Sequence, residues 1–179
     1  MSILDDAQAH LGQREIQQIS EQIGADPTTT EQAVQAAMPL LLGGVAGTAQ
    51  QPAQAGAVQS AIQSHSGVLE NLGALLGAPP PADGGGLLGR ILGNRQSAVQ
   101  QGVQSASGLD SDQTRRLLMA LAPIVLAILA KRHANRSSAE LGTALQQEAR
   151  SAEEHVQRTA PHMGGLLGKI LNYVETPRA

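Results

Sequence analysis

A chain of 179 residues with no cysteine, no phenylalanine, no tryptophan and a single tyrosine, Tyr173, can hold neither a disulfide nor a thiolate metal site, and its core must be aliphatic. An aliphatic, alanine-rich core suits closely approaching helices and not a β-sandwich, which draws on aromatic and β-branched strands. The formal net charge of −3 argues against a general nucleic-acid binder.

In chain order, Ile3 to Ile23 reads as one or two helices with Leu4, Leu11, Ile16, Ile19 and Ile23 apolar, ended by Gly24 as a C-cap. The first residues, MSILDDAQAHLGQRE, have neither a basic n-region nor an apolar h-region, so no signal peptide is expected and the expected location is cytoplasmic. Asp26-Pro27-Thr28 is a turn, and Thr28 to Glu31 has the T-x-x-E form of a capping box. Val34, Ala37, Met38, Leu41, Leu42 and Val45 then recur at helical spacing through Pro39. Short helices are expected around Val58 and Ile62, and from Val68 to Leu76. The run from Ala78 to Gly86, APPPADGGG, joins extended prolines to flexible glycines and reads as a linker or exposed loop. Leu87 to Leu92 opens the second half, and Val99 and Val103 lie on a helix ending near Gly108.

The stretch from Asp110 to Arg136 is the centre of the chain. Asp110 is a good N-cap with Gln113 three residues on, as in a capping box. Lys131, Arg132 and His133 suit the negative end of the helix dipole. From Leu117 to Ala130 the run is apolar all round, which marks a helix buried in protein or in lipid. Its fourteen residues span about 21 Å, against about 30 Å for a bilayer core, so a central core helix is the preferred reading. Leu117, Leu121, Pro123, Ile124 and Ile128 are the expected core, with Pro123 kinking the helix near Met119 to Ala122. Ser137 or Ser138 then caps a polar helix carrying Leu141, Leu145, Ala149, Ala152 and Val156, which Pro161 ends, and a last helix is expected from about Met163 to Val174.

Two internal matches stand out. Gly85 to Arg95, GGLLGRILGNR, and Gly164 to Val174, GGLLGKILNYV, are near copies; AMPLLLGGVAG from Ala37 and LAPIVLAILAK from Leu121 match more weakly around a proline. Because the period is not constant, they read as two related helical units and not as a solenoid. The GLLG(R/K)IL segments have the form of small amphipathic membrane-surface helices, or of short helices folding their leucines onto a core. Charge is uneven: residues 90–136 hold seven basic and two acidic residues, the rest five and thirteen. That pattern reads as solvated helix faces, as head-to-tail pairing, or as contact with an anionic surface.

No catalytic, cofactor-binding or metal-binding set emerges. His10, His65, His133, His155 and His162 are scattered, no Ser-His-Asp order or nucleophile elbow is present, and Gly84 to Gly86 lacks the lysine of a phosphate loop. The chain is expected not to be an enzyme and to need no cofactor.

QISEQIGADPTTTEQAVQAAMPLLLGG, Gln18 to Gly44, and GGLLGRILGNRQSAVQQGVQSASGLDSDQTRRLLMALAPIVLAILAKR, Gly85 to Arg132, resemble the bacterial family called domain of unknown function nine-three-seven, related to YidB-like proteins. The isoleucine-leucine-glycine turn, the Ser-Gly-Leu before the central helix and the Leu-Ala-Pro inside it carry the resemblance, which does not extend to the tail from Ser137. It implies a mostly helical bacterial protein with no established activity, and it carries over no catalytic residue.

The resulting expectation is an all-α, compact bundle of about seven to nine helices around one apolar, proline-kinked central helix, with two related halves. Residues 1–77 form an N-terminal helical half, 78–86 a linker or loop, 87–136 the second half, and 137–179 a C-terminal helical extension. The expected function is a non-enzymatic structural or interaction protein that self-associates into a homo-oligomer. The alternatives are a peripheral protein on an anionic membrane surface and an adaptor for another protein; no nucleic-acid partner is expected. Candidate interaction residues are Leu87, Leu88, Arg90, Ile91 and Leu92, Arg115 and Arg116, and Leu166, Leu167, Lys169, Ile170 and Leu171.

Overall fold

The computed structural model describes residues 3–79 and 84–159. Among these the chain is all-α, with nine α-helices and two 3-10 turns: α1 Ile3–His10, α2 Gln13–Ile23, α3 Pro27–Ala49, α4 Pro52–Ser64, a 3-10 turn Val68–Asn71, α5 Leu72–Gly77, α6 Gly84–Leu92, a 3-10 turn Gly93–Arg95, α7 Gln96–Ser107, α8 Ser111–His133 and α9 Ser138–Thr159. The three glycines Gly84 to Gly86 belong to α6 and not to a linker. The expected last helix, 163–174, lies outside the described residues.

Local chemistry sets the ends of the two longest helices in the same way. α2 and α7 both stop at a left-handed glycine, Gly24 (φ 73°) and Gly108 (φ 74°). A side-chain Cβ would strain either position, so glycine is required there. Two residues later an aspartate caps the next helix. Asp26 accepts the Thr29 amide at 2.7 Å and its hydroxyl at 2.6 Å, which holds the Asp26 carboxyl below its ordinary range. The cap of α3 is therefore Asp26 with Pro27 as first helical residue, and not the Thr28–Glu31 box read from the sequence. Asp110 accepts the Gln113 amide at 2.8 Å while Gln113 reaches back to the Asp110 amide, a complete capping box. Ser137 and Glu140 cap α9 reciprocally.

α3 and α8 are 23 residues each, run uninterrupted through their prolines, and pack against each other. Gly24 and Gly108, Asp26 and Asp110, Pro39 and Pro123 all stand 84 positions apart. At that offset α2 overlies α7, α3 overlies α8, and the start of α4 falls two residues before the start of α9. α2–α3 and α7–α8 are thus two copies of one helical unit 84 positions apart, and the weaker of the two sequence matches is the one the fold realises.

The repeated units exchange partners. α2 packs on both α3 and α8, and so does α7; α1 touches α8, α3 and α9, where α6 touches α3, α8 and α4. One apolar core gathers residues from α1 through α9. α9, expected as an extension, is the counterpart of α4 and packs along α3 through Leu141, Leu145, Ala149 and Ala152, all buried.

The central helix is enclosed. Leu117, Leu121, Ile124 and Ile128 are all at most 1 % exposed, Pro123 is buried, and only Met119 of the apolar run is half-buried. By length and apolarity α8 could cross a membrane, but 78 % of its most apolar window is buried inside the protein.

Where α6 crosses α3, glycine makes the room. A Cβ at Gly44 would clash with Leu92, and one at Gly47 would lie 2.8 Å from Nε of Arg95. Arg95 is 2 % exposed, and its Nη1 donates to Thr48 Oγ1 at 3.4 Å. Burial lowers its pKa, yet a guanidinium stays charged. Its place has an electrostatic reason: the last turn of α3 has no basic residue of its own, whereas that of α8 carries Lys131, Arg132 and His133. Arg95 brings a cation to the negative end of the α3 dipole from another helix.

Candidate functional site

Among the described residues a groove of about 740 Å³ lies between α1, α2, the first half of α3 and the end of α9. Leu4, Ala7, Leu11, Ile16, Val34, Met38 and Val156 make it apolar; Gln8, Glu31, Gln32, Gln35 and His155 are its polar members. Its cause lies in the repeat. At the 84-residue offset Leu88, Ile91 and Leu92 of α6 correspond to Leu4, Ala7 and Gln8 of α1. Ile91 and Leu92 are completely buried. Where α6 fills its seat with two large aliphatic side chains, α1 offers a methyl group and an amide, and the missing volume opens as the groove. Such a lining suits apolar side chains from a partner helix.

A second cleft, of about 260 Å³, lies between α4, α8 and α9 and includes Ile62, His133 and Leu141. Here the end of α8 is tied down on two sides. Arg132 meets Asp6 of α1 at 3.3 Å and Glu148 of α9 at 3.4 Å, and His133 Nε2 stands 3.8 Å from the same Glu148 oxygen. His133 is 8 % exposed, and among the described residues neither ring nitrogen has a hydrogen-bond partner. Burial first, then the charges of Arg136 and Arg132, lowers its pKa.

The sign of the resulting pH effect follows. A histidine harder to protonate when folded stabilises the fold above its unfolded pKa, about 6.5, and that contribution is lost as pH falls below it. Stability is expected to drop between pH 6.5 and 5, by at most about 1.4 kcal/mol per pH unit for one proton. Urea unfolding of His133→Gln at the two pH values should show a shallower drop; an equal drop would assign the effect to other groups.

The candidate interaction residues divide. Arg90, Arg115 and Arg116 are exposed, Leu87 is half-buried, and Leu88, Ile91 and Leu92 are fully buried in the core instead of at a contact surface. Each fully buried aliphatic side chain contributes about 1.5–3 kcal/mol. Turning all three outward into water would forfeit about 5–9 kcal/mol, comparable to the whole stability of a domain. Leu166, Leu167, Lys169, Ile170 and Leu171 lie outside the described residues. Among the described residues no group of three or more His, Asp or Glu side chains is placed to hold a metal ion. The groove residues were missed by the sequence reading. The signal that could have found them is the comparison of Ala7-Gln8 with Ile91-Leu92.

The description "Bacterial protein of unknown function (DUF937)" matches residues 5–132. The chain belongs to the DUF937 family. Comparison with curated proteins and with solved structures gives no match. The DUF937 match starts in α1 and ends in the last turn of α8, so it takes in both long helices and both aspartate caps. α9, which walls one side of the groove, lies beyond it.

Proposed function

We propose that this DUF937 chain is a non-enzymatic interaction protein that assembles with copies of itself head to tail. The observation that carries the reading is the unlike charge of its two equivalent faces. Residues 13–35, which span α2 and the start of α3, hold one basic and four acidic residues; the equivalent 97–119 hold two of each. Glu31 and Arg115 occupy the same position in the two units, and both are exposed. Arg116 and Arg90 are exposed as well and add to the basic side.

A contact between two different faces is heterologous, so it closes into rings or runs on as open filaments. Exposed charges provide the orientation, and salt screens them. The mass by light scattering is expected to exceed one chain at low salt and to fall as salt rises. Arg115→Glu with Arg116→Glu should reduce it to one chain at any salt while leaving the helical circular dichroism unchanged, because neither side chain is buried. A mass of one chain for the unaltered protein at low salt would refute the reading.

A further inference from the structure

We infer that the groove beside α1 receives the face of a second copy that carries Leu87 and Met119, ringed by Arg90, Arg115 and Arg116. This inference rests on head-to-tail assembly and adds the place where two copies meet.

The two units present unlike surfaces at equivalent positions. Glu31, Gln32 and Gln35 are exposed along α3 and form one wall of the groove. At the 84-position offset they correspond to Arg115, Arg116 and Met119 of α8. Those residues also point outward: both arginines are exposed, and Met119 is half-buried. Beside the wall on α3, Ala7 and Gln8 of α1 leave apolar space open. Beside the wall on α8, Ile91 and Leu92 of α6 occupy the equivalent positions and are completely buried. One unit is therefore concave where the other is filled.

The filled side keeps apolar surface in water. α6 starts beside the first turns of α8, since a Cβ at Gly85 would lie 3.2 Å from Nη2 of Arg115. Leu87 follows two residues after Gly85, and Met119 one turn after Arg115; both are half-buried. Arg90, Arg115 and Arg116 surround them with positive charge. The acid on the same face of α8, Asp112, stands in the first turn, where it offsets the positive end of its own helix.

The groove is the complement of that face. Its floor of Leu4, Ile16, Val34 and Met38 is apolar, and Glu31 stands on its rim. α2 along its side carries Glu15 and Glu21 against one cation, Arg14. An apolar centre inside a polar rim is the anatomy of a protein–protein contact. Joining the two surfaces removes both apolar areas from water, which supplies the adhesion. Met119, unbranched and polarizable, adapts to an irregular groove. Glu31 facing Arg115 fixes which face meets which.

The chain has no cysteine, so single cysteines report the contact directly. A disulfide forms only where two Cα atoms approach within about 7 Å. Full chains carrying Gln35→Cys, on the groove wall, are mixed at low salt under mild oxidation with full chains carrying Met119→Cys. The mixture is expected to give bonded pairs on a non-reducing gel at severalfold the yield of either variant alone, and less as salt rises. Gln63→Cys, in the second cleft, mixed with Met119→Cys is expected to give only the background yield. A charge exchange provides a second readout. Glu31→Arg should lower the mass by light scattering to one chain, and Arg115→Glu added to it in the same chain should restore assembly, a rescue that damage to folding cannot produce. If the larger mass persists at low salt while Gln35→Cys bonds Met119→Cys no better than Gln63→Cys does, the groove serves another partner; the inference is then overturned and head-to-tail assembly stands. Bonding among Gln35→Cys chains alone at the yield of the mixture would make the contact a symmetric one and overturn both. A mass of one chain for the unaltered protein at low salt would refute head-to-tail assembly, and the inference with it.

Discussion

Leu121→Asp is expected to leave the chain unfolded at 25 °C. Leu121 is 0 % exposed and sits two residues before Pro123, on the helix around which both units pack. Losing the leucine from a filled core costs about 2–5 kcal/mol. Placing a carboxyl there without a partner costs about 1–3 kcal/mol more even when the group is neutral, and a charged one costs far more. The sum approaches the total stability of an ordinary domain, about 5–15 kcal/mol. Leu121→Met keeps the volume and should cost less than about 1.5 kcal/mol. Circular dichroism at 222 nm separates the cases. A melting temperature for Leu121→Asp within a few degrees of the parent would mean that α8 does not form the core.

The second large effect is expected at the crossing of α6 over α3. Leu92→Ala removes a fully buried side chain and should cost about 2–5 kcal/mol. For a chain of this length that lowers the melting temperature by roughly 5–20 °C. Gly44→Ala alone sets a Cβ against Leu92, an overpacking of about 1–3 kcal/mol. It also replaces the poorest non-proline helix former by the best, a gain of about 1 kcal/mol. Combined, the two changes should offset each other: the methyl at position 44 enters the space Leu92 has left, so the double variant is expected to be more stable than Leu92→Ala. The coupling should reach about 0.5–3 kcal/mol, the range for residues in contact. Strict additivity in denaturant unfolding would show that the two positions do not press on one another.

Much of the fold was legible because it depends on near neighbours in sequence. A glycine that must turn left-handed, an aspartate that must cap, and an apolar run with no polar side announce themselves within a few residues. Gly24, Gly108, Asp110 and the burial of Leu117, Leu121, Pro123, Ile124 and Ile128 could be read that way. The Thr28–Glu31 box failed on the same local scale: Asp26 stood two residues earlier, and Pro27 after it is already preset for a helix start. Glycines 84–86 read as a loop because glycine is a poor helix former; tertiary packing of the leucines that follow draws them into α6.

The candidate site was less legible. The amphipathic reading of GLLGRIL was sound as to pattern, but pattern does not say what lies opposite an apolar face. Gly44 and Gly47, each 48 positions earlier, provide the floor that Leu92 and Arg95 occupy. The groove is harder still to foresee, since its lining comes from helices as far apart in sequence as α1 and α9.

What the sequence by itself determined was the helical class, the capped ends of the long helices, the apolar centre and the family, because hydrogen-bonding and periodicity rules act over one or two turns. Only the tertiary structure decided that α2–α3 and α7–α8 are the repeated pair, that α9 packs along α3, that Arg95 serves the end of a distant helix, and that a groove opens beside α1. Each of those depends on which faces meet across the core, and close packing fixes that for all the helices together, beyond the reach of any one segment.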